Sequence, residues 1–235
     1  MPFIISVVAR KGGVGKTAIA SAVSSVLAAQ GKSVLLIDMD TQSSAAVALG
    51  ANPLGEGTYE WLMGNAPCYQ EAQPGLHLLA GGSGLDGIDA QADAVAEVIA
   101  TTGHDYVVID TPASATSLSR AAVRASSHVL IATEPHPLGI SGACAMVQAI
   151  RPDQFSAIVL SRLDLRRSLH RTIAEQATSA FSPIEVMQFR HDGFLERAMA
   201  EGRPAALGRR SKAIEDIHAI ANKLINTQTQ DAEHA

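Results

Sequence analysis

Two lysines and three glycines fall within seven residues near the start of the chain, in the sequence KGGVGKT from Lys11 to Thr17. Glycines let backbone N–H groups converge on phosphate oxygens without Cβ clashes, and a following helix N-terminus adds unpaired donors. Lys16 can then reach the β- and γ-phosphates of a nucleotide, and the Thr17 hydroxyl suits Mg²⁺. We therefore predict a phosphate-binding loop rather than a glycine-rich turn with incidental lysines. Its nucleotide contacts are expected from Lys11, Gly12, Gly13, Val14, Gly15, Lys16, Thr17 and Ala18.

Three aspartates follow apolar runs elsewhere in the chain. Asp38 ends VLLID, Asp40 comes two residues later, and Asp110 ends YVVID. In an open parallel sheet the carboxyl ends of the strands form the ligand-binding edge. We expect Asp38 and Asp110, with Thr17, to support Mg²⁺, and Asp40 to orient the attacking water. The alternative is that aspartate is simply common where strands turn.

The elements that must position these residues alternate between short apolar runs and helical patterns. Strands are predicted over Phe3–Ala9, Val34–Ile37, Leu76–Leu79, Tyr106–Ile109, Val129–Ala132, Ala157–Leu160 and Ile184–Met187. Helices are predicted over Thr17–Gln30, Ala90–Ala100, Ile140–Ile150, Ser168–Ala180, Phe194–Ala200 and Ala213–Ile225. This order indicates an α/β fold with a mostly parallel sheet and helices on both faces, and the phosphate loop between its first strand and helix indicates the P-loop NTPase type. We expect one domain over residues 1–226, an irregular excursion over Asn52–Pro74, and a frayed polar tail over residues 227–235.

Composition narrows the class of protein. Hydrophobic residues make up 47% of the 235 residues and the formal net charge is −5, which argues against wholesale electrostatic binding to nucleic acid. The two cysteines lie far apart and predict neither a disulfide framework nor a metal cluster. Because the apolar runs fall short of the roughly 20 residues of a membrane helix and no leader pattern precedes the first strand, a cytoplasmic protein is expected.

Three segments together carry a family resemblance. The sequences KGGVGKT, VLLIDMDTQSSA and DYVVIDTPAS resemble the ParA/MinD family of deviant Walker A ATPases, and most of all its short ParA-type DNA partition members. The likeness extends over nearly the whole chain, including GRPAALGRRSKAIEDIHAIANKLI. It implies ATP and Mg²⁺ as ligands, and an ATP-bound homodimer in which Lys11 crosses to the partner's nucleotide. The implied catalytic residues are Lys11, Lys16 and Asp40. The chain departs from the family pattern at Thr41 and Ala113, where prolines are usual, which concerns the hydrolysis rate rather than the fold.

The same resemblance implies macromolecular partners. Between Arg162 and Lys212 there are ten Lys and Arg against six Asp and Glu. In that family, the surface that binds double-stranded DNA without sequence preference lies in this segment, which implies association with the nucleoid. The resemblance also implies a ParB-like partner protein that stimulates hydrolysis. The best matches to its basic positions are Arg190, Arg203, Arg209, Arg210 and Lys212. A solvated basic face is the alternative interpretation of these charges.

Two other functions remain open from the sequence. One is an ATPase of the same fold that positions protein cargo or acts at the membrane surface, as MinD-like members do. The last predicted helix carries Glu215, Asp216 and a single Lys223, which does not suit a stable membrane anchor. The other is a metabolic P-loop kinase or synthetase, for which Asn52–Pro74 would have to supply a second substrate pocket.

Overall fold

The computed structural model describes residues 2–88, 92–113, 116–151, 154–203 and 210–234. Its strands are β1 (Phe3–Val8), β2 (Val34–Asp38), β3 (Gln70–Gln73), β4 (Leu76–Leu79), β5 (Tyr106–Asp110), β6 (His128–Thr133), β7 (Phe155–Leu163) and β8 (Glu185–Arg190). Its helices are α1 (Lys16–Ala29), α2 (Ser44–Leu49), α3 (Thr58–Leu62), α4 (Ala92–Ala100), α5 (Ser117–Ala125), α6 (Pro137–Val147), α7 (Ser168–Ala180), α8 (Gly193–Ala200) and α9 (Lys212–His234). A short 3₁₀ helix covers Ser83–Gly87.

The described strands join one sheet in the order β3-β4-β2-β5-β1-β6-β7-β8. Every neighbouring pair is parallel except β3 with β4, which is antiparallel at one edge. The central strands β1, β2 and β5 are buried along most of their length because their β-branched and aliphatic side chains are covered on both faces. The predicted α/β fold with a mostly parallel sheet is confirmed.

Alternate residues of the strands enter different cores. In β2, Val34 and Leu36 pack on the side covered by α1 and α9, whereas Leu35 and Ile37 pack on the side covered by α4 and α5. This alternation follows from the period of two in an extended chain. A third core lies under α6 and α7 against β6 and β7. The predicted helices on both faces are therefore confirmed.

The end of the chain differs from the expectation. A frayed tail is expected over residues 227–235, whereas α9 continues without a break past residue 226 to His234. Two contacts hold its last turns against the sheet. The Tyr106 hydroxyl donates a hydrogen bond to Gln228, and the imidazole of His128 lies 3.7 Å from the Asp231 carboxylate.

Besides the short 3₁₀ helix, four elements of the described residues were not predicted as such. Residues 52–74 hold the short helix α3 and the edge strand β3, and helices α2 and α5 are also additional. Each is short or has few apolar residues, so its hydrophobic periodicity is weak. Within the described residues, none of the helices has both the length and the apolarity needed to cross a membrane.

Candidate nucleotide-binding site

The loop between β1 and α1 has the backbone of a phosphate cradle. Gly13 and Gly15 adopt φ of +79° and +92°, a conformation that strains any residue with a Cβ. Gly15 is the residue before α1, and its carbonyl accepts the helical hydrogen bond from the N–H of Ile19 at 3.0 Å. The first N–H groups of α1 therefore remain without helical partners and are available to an anion.

The two lysines of this loop have different surroundings. Lys16 lies in the first turn of α1 with only 6% of its surface exposed, and its charge acts on the nearby Asp110. Lys11 is exposed and has no ion pair with any described residue. Val14 is buried beneath the loop, where it anchors the backbone. Thr17 lies on the same turn as Lys16 and is half-buried, as is Ala18.

Asp38 is a fully buried carboxylate that organises the loop after β2. Its Oδ1 accepts a hydrogen bond from the backbone N–H of Asp40, and its Oδ2 accepts one from that of Ala45, both at 2.9 Å. Burial raises the pKa of Asp38 to about 6, while the two backbone hydrogen bonds oppose that rise and the charge of Asp40 adds to it. The carboxylate therefore fixes the path of the chain from β2 into α2.

Asp110 is the second fully buried carboxylate of the site. It is opposite Asp38 in the parallel register of β2 and β5 and is 0% exposed. Burial, with the charge of Asp38, raises its pKa well above the usual range, and Thr17 and Lys16 act in the opposite direction. Thr17 is thus close to Asp110, although neither carboxylate oxygen meets hydrogen-bond geometry with a described residue.

These donors fit Mg²⁺. The cation prefers oxygen ligands and is commonly held by one or two carboxylates, a hydroxyl and phosphate oxygens. Asp38, Asp110 and Thr17 supply such oxygens, and the unpaired oxygens of Asp110 give a buried negative charge that a cation would neutralise. The described residues contain no cluster of three or more His, Cys, Asp or Glu able to hold a metal unaided, and a site completed by phosphates does not need one.

Asp40 lies at the mouth of the site and is half-buried. Its Oδ1 accepts a hydrogen bond from the N–H of Gln42 at 3.1 Å. The backbone of Gly81, just after β4, passes directly behind it. A Cβ on Gly81 would lie 2.0 Å from the Asp40 carbonyl oxygen and 3.3 Å from Asp38 Oδ1, so only glycine fits.

Sequence reasoning missed three residues that hold the site in place. They are Gly81, Ser161 and Thr111. The Ser161 hydroxyl at the end of β7 donates to the Val14 carbonyl and lies 3.2 Å from that of Thr133. The Thr111 hydroxyl donates to the Val7 carbonyl at 2.8 Å and ties the loop after β5 to β1. The available signal was position, since each residue lies near or just past the carboxyl end of a buried strand.

The predicted DNA contacts fall into different environments. Arg190 is bound to Asp216 on α9 through its backbone N–H at 2.9 Å and its Nε at 2.7 Å, and through a further guanidinium nitrogen. This ion pair, in which Asp216 is 9% exposed, joins β8 to α9 and leaves Arg190 little freedom to contact a phosphate.

The other predicted DNA contacts are more accessible. Arg203 pairs with Glu201, and Lys212 pairs with Glu215 at 2.7 Å, both at exposed positions where such pairs are weak. Arg210 is exposed. Arg209 lies outside the described residues.

Comparison with known proteins agrees with this geometry. A family model described as an AAA domain matches residues 3–74. The chromosome partitioning protein ParA of Caulobacter vibrioides is 29% identical over 203 residues, which cover 76% of each chain. A plasmid partition protein of Borrelia burgdorferi B31, solved with AMPPNP, matches with a TM-score of 0.80 at 21% identity, over 97% of this chain and 100% of that one. The septum site-determining protein MinD of Pyrococcus horikoshii, solved with Mg-ADP, matches with a TM-score of 0.80 at 22% identity, over 95% and 96%.

The solved structures have the same fold as this chain, and the ParA relative extends the likeness to the sequence. The glycine loop with its two lysines and the paired strand-end aspartates, on which the resemblance depends, are brought together at one sheet edge. The comparisons together support a P-loop ATPase of the ParA/MinD type.

Proposed function

We propose that this chain is a ParA-type ATPase that hydrolyses ATP to ADP and phosphate, with Mg²⁺, and forms an ATP-sandwich homodimer. The dimer binds double-stranded DNA without sequence preference, and a ParB-like partner stimulates hydrolysis. The task of the protein is to segregate or position plasmid or chromosome DNA in the cytoplasm, on the nucleoid. The Caulobacter relative is named as a chromosome partitioning protein, and the Borrelia protein as a plasmid partition protein.

One observation carries the nucleotide assignment. Asp110 is a fully buried carboxylate with no hydrogen-bond partner among the described residues, and it lies beside the buried Lys16 and the Thr17 hydroxyl. An ionised carboxylate in such a place is costly unless a cation joins it. A Mg²⁺ ion bound to a triphosphate supplies that positive charge, and the glycine loop supplies donors for the phosphates.

The side chains of the site have different roles in ATP hydrolysis. Lys16 binds the β- and γ-phosphates and neutralises charge as the γ-phosphoryl group leaves. Asp40 orients the water that attacks phosphorus. Asp38 holds the backbone of Asp40 in place by accepting a hydrogen bond from the Asp40 N–H. Asp38, Asp110 and Thr17 would hold Mg²⁺, which when bound draws charge from the phosphate oxygens.

Lys11 is the residue that would make hydrolysis depend on dimerisation. Its exposure and lack of an ion pair with described residues leave its ammonium able to reach a nucleotide bound by a second copy. A second cation at the transferring phosphoryl group stabilises developing charge, as an arginine finger does. Hydrolysis would then require the dimer.

The experiment is to measure molar mass by light scattering with ATP, ADP or no nucleotide. We expect a dimer with ATP alone, and a monomer in all three conditions for Lys11→Ala. Lys32→Ala is the matched control, since Lys32 follows the far end of α1, about 20 Å away by helix rise. A Lys11→Ala protein that still dimerises with ATP would contradict the switch, and a chain without affinity for Mg-ATP would contradict the whole proposal.

The membrane-surface alternative has less support. The apolar residues of α9 pack into the core on α1 and β8 rather than forming an outward stripe. They include Ala213, Ile217, Ile220, Ala221 and Leu224. A helix that uses its apolar face inside the protein has none left for lipid. We therefore favour DNA over a lipid surface as the partner.

A further inference from the structure

The loop between β2 and α2 contains a serine in a backbone conformation that normally requires glycine. Ser43, the residue before α2, has φ of +48° and ψ of +38°, in the left-handed region. Eight glycines among the described residues have positive φ, whereas Ser43 and Arg162 are the two described residues with a side chain that do so. A Cβ in this region clashes with the following carbonyl oxygen, which disfavours the left-handed form by about five- to thirtyfold. Ser43 therefore holds the loop under strain.

The serine side chain does not offset this strain by capping the helix. Serine is common immediately before a helix because its hydroxyl accepts a hydrogen bond from a backbone N–H of the first turn, but such residues have an extended backbone. The Ser43 hydroxyl makes no capping bond to α2. The residue is 4% exposed, so little water reaches it. Serine therefore brings neither a capping bond nor much solvation to a position where glycine would avoid the strain.

Hydrogen bonds on both sides of Ser43 impose its conformation. Its N–H donates to the Asp40 carbonyl at 3.2 Å, which closes a turn, and its own carbonyl accepts from the N–H of Ala46 at 3.1 Å. The Asp38 carboxylate accepts hydrogen bonds from the N–H groups of Asp40 and Ala45, so one buried side chain fixes both ends of the segment. The chain must turn from β2 into α2 between these two points, and Ser43 completes that turn.

The strained residue lies three positions after the proposed hydrolytic residue, in the same turn. The Asp40 carbonyl that accepts the Ser43 N–H also lies against Gly81, where a Cβ would be 2.0 Å from the carbonyl oxygen. The Asp40 side chain is held within the turn, because its Oδ1 accepts a hydrogen bond from the N–H of Gln42 at 3.1 Å. If Ser43 left the left-handed region, it would break its hydrogen bond to Asp40 and free the turn that positions the Asp40 carboxylate.

We propose that Ser43 is a positioning residue for ATP hydrolysis. Its strain disfavours the conformation of residues 38–45 in which Asp40 is held at the mouth of the site, so a fraction of the molecules has Asp40 ready to orient the attacking water. The strain thereby lowers kcat, while Mg-ATP binding through the phosphate loop is unaffected. This inference rests on the proposed function, in which Asp40 orients that water, and it adds a residue that sets the rate.

Backbone strain and a role of the hydroxyl predict different effects of substitution. If the hydroxyl matters, every residue that lacks it should have the same effect. If the strain matters, the effect should follow the preference for the left-handed region, in which glycine exceeds asparagine and asparagine exceeds serine. Ser43→Ala separates the two explanations, because it removes the hydroxyl and keeps the Cβ that causes the strain.

The test compares Ser43→Gly, Ser43→Asn and Ser43→Ala in the full chain by two measurements. Amide hydrogen exchange without nucleotide, followed by NMR, reports opening of the segment at the N–H groups of Asp40 and Ala45. Steady-state hydrolysis at varied Mg-ATP gives kcat and KM. For Ser43→Gly we expect about fivefold slower exchange at both amides and about fivefold higher kcat, with KM unchanged. Ser43→Asn should lie between wild type and Ser43→Gly, and Ser43→Ala should produce no such gain. The matched control Ser179→Gly, at an exposed helical position in the last turn of α7, should leave both measurements at the wild-type value.

Three results would overturn the proposal. The first is exchange at Asp40 and Ala45 that Ser43→Gly does not slow, since the strain would then not govern the segment. The second is slower exchange without a rise in kcat, or with a change in KM alone, since the segment would then not set the rate. The third is a gain in Ser43→Ala equal to that in Ser43→Gly, which would assign the effect to the hydroxyl. A wild-type chain that hydrolyses no ATP would instead contradict the proposed function, and exchange without nucleotide would still test the strain at Ser43.

Discussion

Replacing Asp110 by Asn should make the ligand-free protein more stable at neutral pH. The wild-type carboxyl is fully buried, lies beside the carboxyl of Asp38 and has no hydrogen-bond partner among the described residues. Its pKa is raised well above the usual range, chiefly because burial disfavours the charged form. Asparagine has nearly the same shape and cannot ionise, so the substitution removes the charge and loses no hydrogen bond to a described residue.

The neighbouring Asp38 illustrates how such a cost depends on pH. Its pKa rises from 3.8 to about 6 in the folded protein, and this difference corresponds to about 3 kcal/mol of unfolding free energy. Because the folded pKa is the higher one, the native state holds the proton more tightly than the unfolded state. The cost is absent below pH 3.8, grows as pH rises and is complete above the folded pKa. We expect Asp110→Asn to raise the free energy of unfolding at pH 8, where relief of a buried unsatisfied group is worth about 1–3 kcal/mol, and to raise it less at pH 5.

Thermal and urea unfolding in EDTA at pH 5 and pH 8 measure this gain, and the same scans with Mg-ADP test its functional meaning. Ligand at one hundred times its Kd stabilises a protein by about 2.7 kcal/mol. The wild type should gain more from Mg-ADP than from ADP with EDTA, whereas Asp110→Asn should gain the same from both. An Asp110→Asn protein that is less stable than wild type at pH 8 without metal would refute the reasoning, since the carboxylate would then have a stabilising partner.

Two further substitutions test the supports of the site and the proposed DNA surface. Gly81→Ala should weaken Mg-ATP binding and cost about 1–3 kcal/mol of stability, because the added Cβ would press on the Asp40 carbonyl. Calorimetry measures the binding and urea unfolding measures the stability. Unchanged binding would contradict this contact. Arg190→Ala should lower the free energy of unfolding by about 2–3 kcal/mol, because Asp216 loses its charged partner. The control Arg210→Ala should leave stability unchanged and should weaken ATP-dependent binding to random duplex DNA. The opposite pattern, in which Arg190→Ala affects DNA binding alone, would return Arg190 to the DNA surface.

The sequence predicted most of the fold because the signals were local. A buried parallel strand is a short apolar run, and β4 and α7 begin and end where the sequence predicts. Parallel strands with short connections place their carboxyl ends together, so the proximity of Asp38 and Asp110 followed from two strand ends alone. The phosphate loop was predicted for the same reason, since its glycines and lysines are contiguous.

The errors involve contacts between distant parts of the chain. Arg190 matches a basic position of the family, but Asp216, 26 residues later, binds it, and no charge pattern in the sequence pairs the two. The polar end of α9 reads as a tail because its stabilising contact, from Tyr106 to Gln228, crosses more than half the chain. Gly81 shows no motif at all, since its requirement arises from the close approach of Asp40.

The electrostatics of the site explain why such a chain can work as a switch. Asp38 and Asp110 are buried side by side with raised pKa values, so the ligand-free state holds a charge arrangement that is unfavourable above about pH 6. A cation and a triphosphate remove that penalty only in the bound state, and the free energy released can order the loops attached to these strands. Asp38 links the metal site to the loop directly, because its carboxylate accepts hydrogen bonds from the N–H groups of Asp40 and Ala45. The order of the loop that carries the proposed hydrolytic residue is thereby linked to occupancy of the site, and hydrolysis, by removing the ligand, returns the loop to its ligand-free state.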